Sequence, residues 1–204
     1  MGLYSRYVLP RMLDFACRNK DVNELRKQVL PPATGIVVEV GIGSALNLPY
    51  YSPRIEHLYG IDLSPELLQM ARRKTEHVPF PVTLLNQTAE KFPLEDHSVD
   101  TVVMTFVLCS IAESLAALRE AKRVLKPAGR LIFLEHGLSP EPKIQSWQNR
   151  LTPVWKRIGG GCCLNKKIDG LISRGGFAIR ELQNCYLPGP KPMTYVYRGF
   201  AEPE

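Results

Sequence analysis

No stretch of this sequence is apolar enough to cross a bilayer. The longest uncharged apolar run, Thr101 to Ala112, has 12 residues, against the roughly 20 that a spanning helix needs. The N-terminal stretch MGLYSRYVLPRMLDFACRNK lacks a continuous apolar core and a small-residue cleavage site, so no secretory signal is expected. Cysteine is sparse. The five are Cys17, Cys109, Cys162, Cys163 and Cys185, with no CxxC and no Cys/His zinc spacing. The expectation is a reduced, cytoplasmic protein with free thiols and no metal. The vicinal pair Cys162-Cys163 reads either as a redox or metal feature or as two small residues beside a glycine run. Also missing are an extended Lys/Arg tract, a zinc module and an Asn-Pro-Pro-aromatic motif, which disfavours nucleic acid as a partner. Internal repeats and low-complexity segments are absent.

What is present is an ordinary globule of 204 residues, 45% hydrophobic and 23% charged, long enough for one domain with a sizeable core. Its +6 net charge is uneven. Residues 1–139 hold 16 basic and 15 acidic side chains, whereas residues 140–204 hold 10 and 5. The excess sits around Lys156, Arg157, Lys166 and Lys167, and residues 1–30 add a local +3. Such a surface suits an anionic acceptor or, at most, transient contact with an anionic membrane.

Residues 1–34 read as a helical segment, ending at Pro31-Pro32. From residue 35 strands and helices alternate. Strands are expected at Ile36–Val40, His57–Ile61, Pro81–Asn86, Ser98–Phe106 and Arg130–Glu135. Ser64 should cap a helix that has Pro65 at its first position and Glu66 in its first turn. Leu115, Leu118 and Leu125 mark a second helix, stopped by Lys126-Pro127-Ala128-Gly129. Residues 143–158 read as helix with Pro153 as its weak point, and Ile168–Ser173 as another. Phe177–Asn184 and Thr194–Ala201 are two final strands with no helix between them, free to pair antiparallel. The fold class is therefore α/β, a doubly wound, seven-stranded, mostly parallel sheet with an antiparallel C-terminal hairpin. Ligands of such sheets bind beyond the carboxyl ends of the strands. Functional residues should follow the first, second, fourth and fifth strands.

After the first strand the chain reads Glu39-Val40-Gly41-Ile42-Gly43-Ser44-Ala45-Leu46-Asn47. Gly41 permits a tight turn and Gly43 a close approach of ligand to backbone. Asp62 follows the second strand, 21 positions beyond Gly41, a spacing suited to a ribose diol. A dinucleotide fingerprint would need a small residue at 46, and Leu46 argues against one.

VVEVGIGSALN at 37–47, GIDLSPELLQMAR at 60–72, AEKFPLEDHSVDTVV at 89–103 and LREAKRVLKPAGRLIFLEHG at 118–137 together resemble the class I S-adenosylmethionine-dependent methyltransferases. The resemblance is to the branch with quinone-biosynthesis and phospholipid N-methyltransferases. WQNRLTPVWKRIGGGCCLN at 147–165 and YLPGPKP at 186–192 are similar to membrane-associated thiol methyltransferases.

The resemblance implies a Rossmann-like methyltransferase fold. Its cofactor half is 35–137 and its acceptor-side half 138–204, with 1–34 covering the pocket. It implies that Glu39 lies near the methionine end of S-adenosylmethionine and that Gly41 and Gly43 line the cofactor. Asp62 would accept from both ribose hydroxyls, and Leu63 would pack on adenine. Ala89 and Glu90 would lie beside adenine, and Thr105 and Phe106 beneath the cofactor. Two positions depart from the family. Ala45 stands where a third glycine is usual, at about 1 kcal/mol if φ is positive there. Thr88 stands where Asp often contacts the adenine amino group.

Methyl transfer from a sulfonium is an in-line displacement in which the protein mainly aligns and desolvates the reactants. His136, after the fifth strand, is the candidate general base, or else orders a loop. Cys109, Trp147, Trp155 and Tyr186, with Tyr195, are candidates for the acceptor side. Asp96, His97 and Asp100 read as a polar turn and Arg72-Arg73-Lys74 as a solvated helix face. The reading is a methyltransferase for a small-molecule acceptor, with S-adenosylhomocysteine as product. A non-catalytic protein binding the same cofactor is the alternative, motivated by Ala45 and Thr88. A nicotinamide oxidoreductase comes third and a nucleic-acid methyltransferase fourth.

Overall fold

The computed structural model describes residues 4–204, apart from the side chains at positions 5 and 6. The strands are β1 (Gly35–Val40), β2 (Ile55–Ile61), β3 (Val82–Leu85), β4 (Val99–Thr105), β5 (Leu125–His136), β6 (Phe177–Tyr186) and β7 (Tyr195–Pro203). They form one sheet in the order β3-β2-β1-β4-β5-β7-β6. The β1–β2, β1–β4, β2–β3 and β4–β5 pairs are parallel, and β7 runs antiparallel to both β5 and β6. The chain winds outward from β1 to β3, then returns to β4 on the other side of β1. That reversal makes the crevice between β1 and β4 the ligand-binding switch point of such a sheet.

The helices are α1 (Leu9–Cys17), α2 (Lys20–Val29), α3 (Pro65–Thr75), α4 (Ser114–Val124), α5 (Pro142–Ile158), α6 (Ile168–Arg174) and the single turn α7 (Lys191–Thr194). A π-helical turn over Tyr4–Val8 leads into α1. Strand residues alternate between the two faces of the sheet. Val38, Val102, Met104, Leu131 and Phe133 pack with Leu118 and Ala121 of α4 and with Ile168 and Ile172 of α6. Val37, Val103 and Ile132 pack on the opposite side with Leu30, Ile42, Leu58, Ala71 and Phe80. Burial on both sides explains why the central strands read as continuous β-branched runs.

The start of α3 follows its sequence signature. Ser64 Oγ accepts from the Leu67 N–H at 3.2 Å, and Pro65 occupies the first turn. Four local expectations are corrected. Leu125 does not close α4 but opens β5, which shifts register against β4 between Val99 and Thr101 to absorb Pro127 to Gly129. Pro153 does not break α5. The carbonyl it orphans, on Asn149, sits on an exposed turn where water can satisfy it. The β6–β7 connection contains α7. Asp100 lies within β4, where its carboxylate accepts from the Ile36 N–H at 2.9 Å and from Lys126 at 2.6 Å.

Candidate active site

A cavity of about 490 Å³ lies at the carboxyl ends of β1, β2 and β4. That size suits a cofactor or a small ligand. Its floor is the turn after β1. The N–H groups of Gly41 and Ile42 both donate to the Ile61 carbonyl, at 2.8 and 3.0 Å, which ties the turn to the end of β2. Gly41, Gly43 and Ala45 take φ of 69°, 56° and 59°. A Cβ on Gly41 would stand 2.4 Å from Val107 Cγ2, so glycine is required there by backbone and by space. Ala45 does occupy the left-handed region, at a cost of about 1 kcal/mol. It is fully buried beside Ile42 and Leu48.

Asp62 braces the same turn. One carboxylate oxygen accepts from the Gly43 N–H and the other from the Ser64 N–H, each at 2.8 Å. Burial pushes its carboxyl upward, and these N–H groups oppose the shift. Leu63, also on the cavity wall, is 61% exposed, an apolar surface open for a ring to cover.

Behind the turn is a buried polar network. Asn47 donates to Glu39 Oε1 at 2.8 Å and to Thr105 Oγ1 at 2.9 Å, and the Tyr51 hydroxyl donates to Glu39 Oε2 at 2.8 Å. Arg26 of α2, 3% exposed, donates to Asn47 Oδ1 at 2.8 Å and to the Cys17 carbonyl at 2.6 Å. Complete burial lifts the Glu39 carboxyl to about 7 against the pull of its two donors. The network fastens the N-terminal helices to β1 and β4. Leu9, Pro10, Leu13, Asp14 and Cys17 of α1 thereby line the cavity. Asp14 is fully engaged, by Ser44 Oγ, by Arg18 at 2.7 Å and by Lys74 at 3.8 Å. Lys74 also donates to the Ser44 carbonyl at 2.6 Å, so it braces the glycine turn and does not belong to a solvated face.

The wall after β4 is held under strain. Phe106, which lines the cavity, has φ of 54°, unusual for a bulky residue. Fully buried Glu135 accepts from the N–H groups of Val107 and Leu108 at 2.9 Å and of Cys109 at 3.2 Å. Those three bonds fix the loop that the positive φ starts. Burial raises the Glu135 carboxyl to about 7, with the three N–H groups pulling the other way.

The structure brings Glu39, Gly41, Gly43, Asp62, Leu63, Ala89, Glu90, Thr105 and Phe106 onto one cavity. After β3, Gln87 also lines the cavity and Thr88 does not. Ala45, fully buried within the same turn, does not line the cavity. His136 does not line the cavity. Its ring packs on Phe106 at 4.8 Å between centroids, and its Nδ1 faces Cys162 Sγ at 4.0 Å. Cys109, Trp147, Trp155 and Tyr186 are also off the cavity wall. Cys109 is buried, its sulfur 3.5 Å from that of Cys162. The paired sulfurs, with His136 beside them, hold the Cys162 thiol down and push Cys109 up. Trp155 packs against these sulfurs. Trp147 is exposed on α5. Tyr186 is bonded to Ser139 at 2.6 Å and packs against buried Tyr195, the rings tilted at 59° with centroids 4.9 Å apart.

Arg26, Asn47, Tyr51, Lys74, Gln87 and Glu135 were not legible as site residues. All but Gln87, which lines the cavity, act through partners distant in sequence. Only the acidic-x-G-x-G pattern gave a local signal.

Comparison with known proteins fits this geometry. The methyltransferase domain family matches residues 38–133. Human thiol S-methyltransferase TMT1B is 34% identical over 184 residues, 86% of this chain and 73% of that protein. The chain spans 64% of the length of three further thiol S-methyltransferases it matches. Phosphatidylethanolamine N-methyltransferase of Cereibacter sphaeroides is 38% identical over 104 residues, 50% of this chain and 51% of that one. A SAM-dependent methyltransferase from Aquifex aeolicus shares the fold, with a TM-score of 0.65 at 20% identity, over 96% of this chain and 98% of that one. The glycine turn, the acidic residue after β2 and the Rossmann-like sheet converge with these likenesses: the chain belongs to the class I S-adenosylmethionine-dependent methyltransferases.

Proposed function

We propose that this methyltransferase acts on a small lipophilic acceptor whose nucleophile is a thiol. The carrying observation is the cavity wall away from Asp62. Leu9, Leu13, Val107, Ile111 and Ala112 make it apolar, and its carboxylate, Asp14, is already bound three ways. An acceptor meeting such a wall brings its own nucleophile. A thiol with a pKa near 8.5 is partly ionised at neutral pH, whereas an alcohol or carbon acid needs a strong base. The names of the thiol S-methyltransferases among its relatives support the same class.

In this reading Glu39, Gly41, Gly43, Ala45, Asp62, Leu63, Ala89, Glu90, Thr105 and Phe106 form the cofactor end. S-adenosylmethionine, when bound, supplies a methyl group already activated on a sulfonium. Asp62 receives the ribose hydroxyls, and Leu63 covers the adenine. Buried Glu39 sets its carboxyl group beside the methionine end, and Phe106 excludes water from the line of transfer. His136 stands behind Phe106, with ring centroids 4.8 Å apart, and is the candidate base in this reading.

The acceptor reaches the cavity past α1 and the end of α5. Here Trp147, Leu151, Val154 and Ile158 form an exposed apolar stripe at helical spacing. The Tyr4 hydroxyl donates to the Ile158 carbonyl at 2.8 Å, joining this stripe to exposed Tyr7, Val8, Met12 and Phe15. Arg150, Lys156 and Arg157 flank it. Among the described residues no helix is long and apolar enough to cross a membrane. The stripe suits transient contact with an anionic lipid surface. Charge reversal at Lys156 and Arg157 should abolish a salt-sensitive association with anionic vesicles, and no vesicle association at low salt would remove the membrane from the account.

The acceptor class is tested with a labelled methyl donor offered against thiols, amines, phenols, quinols and phospholipids. Label is expected in alkyl or aryl thiols. Label confined to phospholipid or amine would overturn the thiol reading. His136→Ala should leave cofactor binding intact, and unchanged turnover would exclude His136 as a base.

A further inference from the structure

The cavity does not use the three side chains that meet behind its wall. Cys109 follows β4, His136 ends β5 and Cys162 follows α5. In sequence they show no metal spacing. In the fold their ligand atoms all lie within 4.8 Å of one another. The two sulfurs are 3.5 Å apart, and Cys162 Sγ is 4.0 Å from His136 Nδ1. Two thiolates and an imidazole on one tetrahedral ion, with bonds of about 2.3 and 2.0 Å, would sit roughly 3.5–3.8 Å apart. The sulfur pair already has that separation, and rotation of the His136 side chain closes the remainder.

We infer that Cys109, His136 and Cys162 bind one thiophilic divalent cation of the zinc type, with a fourth position open. The donor set is soft and borderline, which selects zinc over magnesium or calcium. Two cysteines that surrender their protons to solvent balance the charge of the ion, so a neutral centre results in a largely apolar setting. Cys109 is 1% and Cys162 is 7% exposed, and Trp155, Leu164 and Met193 surround them. The nearby ammonium of Lys166 is occupied by the carbonyls of Leu108 and Ile111 and by Ser114 Oγ. That leaves His136 to face Cys162.

The three ligands come from three separate segments. The Cys163 N–H donates to the Cys109 carbonyl at 2.9 Å, which holds two of them together without metal. Phe106 and Ser110 on one segment, and Gly159 and Gly160 on another, line the cavity. An ion would lock these two parts of the wall to the end of β5. Its effect on the site is to fix the wall, whatever the acceptor.

The test uses the reduced, chelator-stripped full chain, titrated with zinc against a chromophoric chelator and separately with cobalt(II). One equivalent should bind. Cobalt should give the intense visible bands of a tetrahedral thiolate centre, and zinc should raise the melting temperature. Cys109→Ser and Cys162→Ser should each weaken binding by more than about 10-fold, the lower end of what losing even a supporting partner costs. Cys163→Ser and Cys185→Ser should leave it unchanged. Less than stoichiometric binding, an octahedral cobalt spectrum, or affinity that survives both ligand substitutions would overturn the site. So would a Cys109–Cys162 disulfide whose reduction restores no metal binding. The cobalt spectrum of the unsubstituted chain decides the matter even if a variant fails to fold.

Discussion

The two halves of this molecule solve different problems with different materials. In the cofactor half, positive-φ positions and buried carboxylates are locked by backbone N–H groups: Asp62 by Gly43 and Ser64, and Glu135 by Val107, Leu108 and Cys109. In the region proposed to face the acceptor, α1 and the end of α5 present apolar side chains with few polar constraints, and much of that surface is exposed. A cofactor with fixed polar groups calls for preorganised donors and acceptors. A lipophilic acceptor calls for area and shape. The basic excess follows the same division, since +5 of the net +6 lies beyond residue 139.

Substitutions that respect this boundary should separate cofactor affinity from acceptor affinity. The largest effect is expected for Asp62→Ala. It removes two charged hydrogen-bonding sites, each worth about 1.5–3 kcal/mol, so S-adenosylhomocysteine affinity should fall at least about 100-fold in calorimetry. Retained affinity would move the ribose elsewhere. Gly41→Ala comes next. Its Cβ would press on Val107 Cγ2 at 2.4 Å in a left-handed backbone, and the cofactor turn should shift with a stability loss of about 1–3 kcal/mol. On the other side of the boundary, Leu13→Ala should raise the acceptor KM several-fold while cofactor affinity stays level. Equal losses of both would dissolve the distinction.

Glu39 gives a smaller, pH-resolved effect. Burial raises its carboxyl from 4.5 to about 7 in the folded chain. The folded state therefore binds the proton more tightly than the unfolded one, and the stability this adds is full below pH 4.5 and lost as the pH rises through about 7. Glu135 acts with the same sign. Glu39→Gln should flatten part of that decline in melting temperature measured from pH 4.5 to 7.5. An unchanged slope would mean that Glu39 is ionised throughout. The smallest effect is expected for Ala45→Gly. Relief at φ 59° is partly offset by the freedom glycine gains when unfolded, so stability should change by no more than about 1 kcal/mol in its favour.

The sheet was largely legible because its signals are local. β1 is a β-branched run ahead of a glycine turn, and Ser64-Pro65-Glu66 marks the start of α3. The cavity-lining positions Glu39, Gly41, Gly43 and Asp62 were legible through the family pattern, each close to a strand end. The bracing was not. Arg26 reaches Asn47 across 21 residues and Glu135 reaches Val107 across 28, contacts that exist only once the sheet has formed. The Cys109–His136–Cys162 cluster was hidden for the same reason. Pro153 misled as a breaker because the carbonyl it orphans belongs to an exposed residue, Asn149. That Trp147, Trp155 and Tyr186 lie off the cavity wall was not legible, because they carry no local sign of the direction they face.

The division between the halves rests first on cofactor occupancy of the β1–β4 crevice. Calorimetric titration of the full chain with S-adenosylhomocysteine tests that most directly. One equivalent should bind, with an affinity that Asp62→Ala destroys and Leu13→Ala spares. The absence of binding at high micromolar concentrations would contradict it.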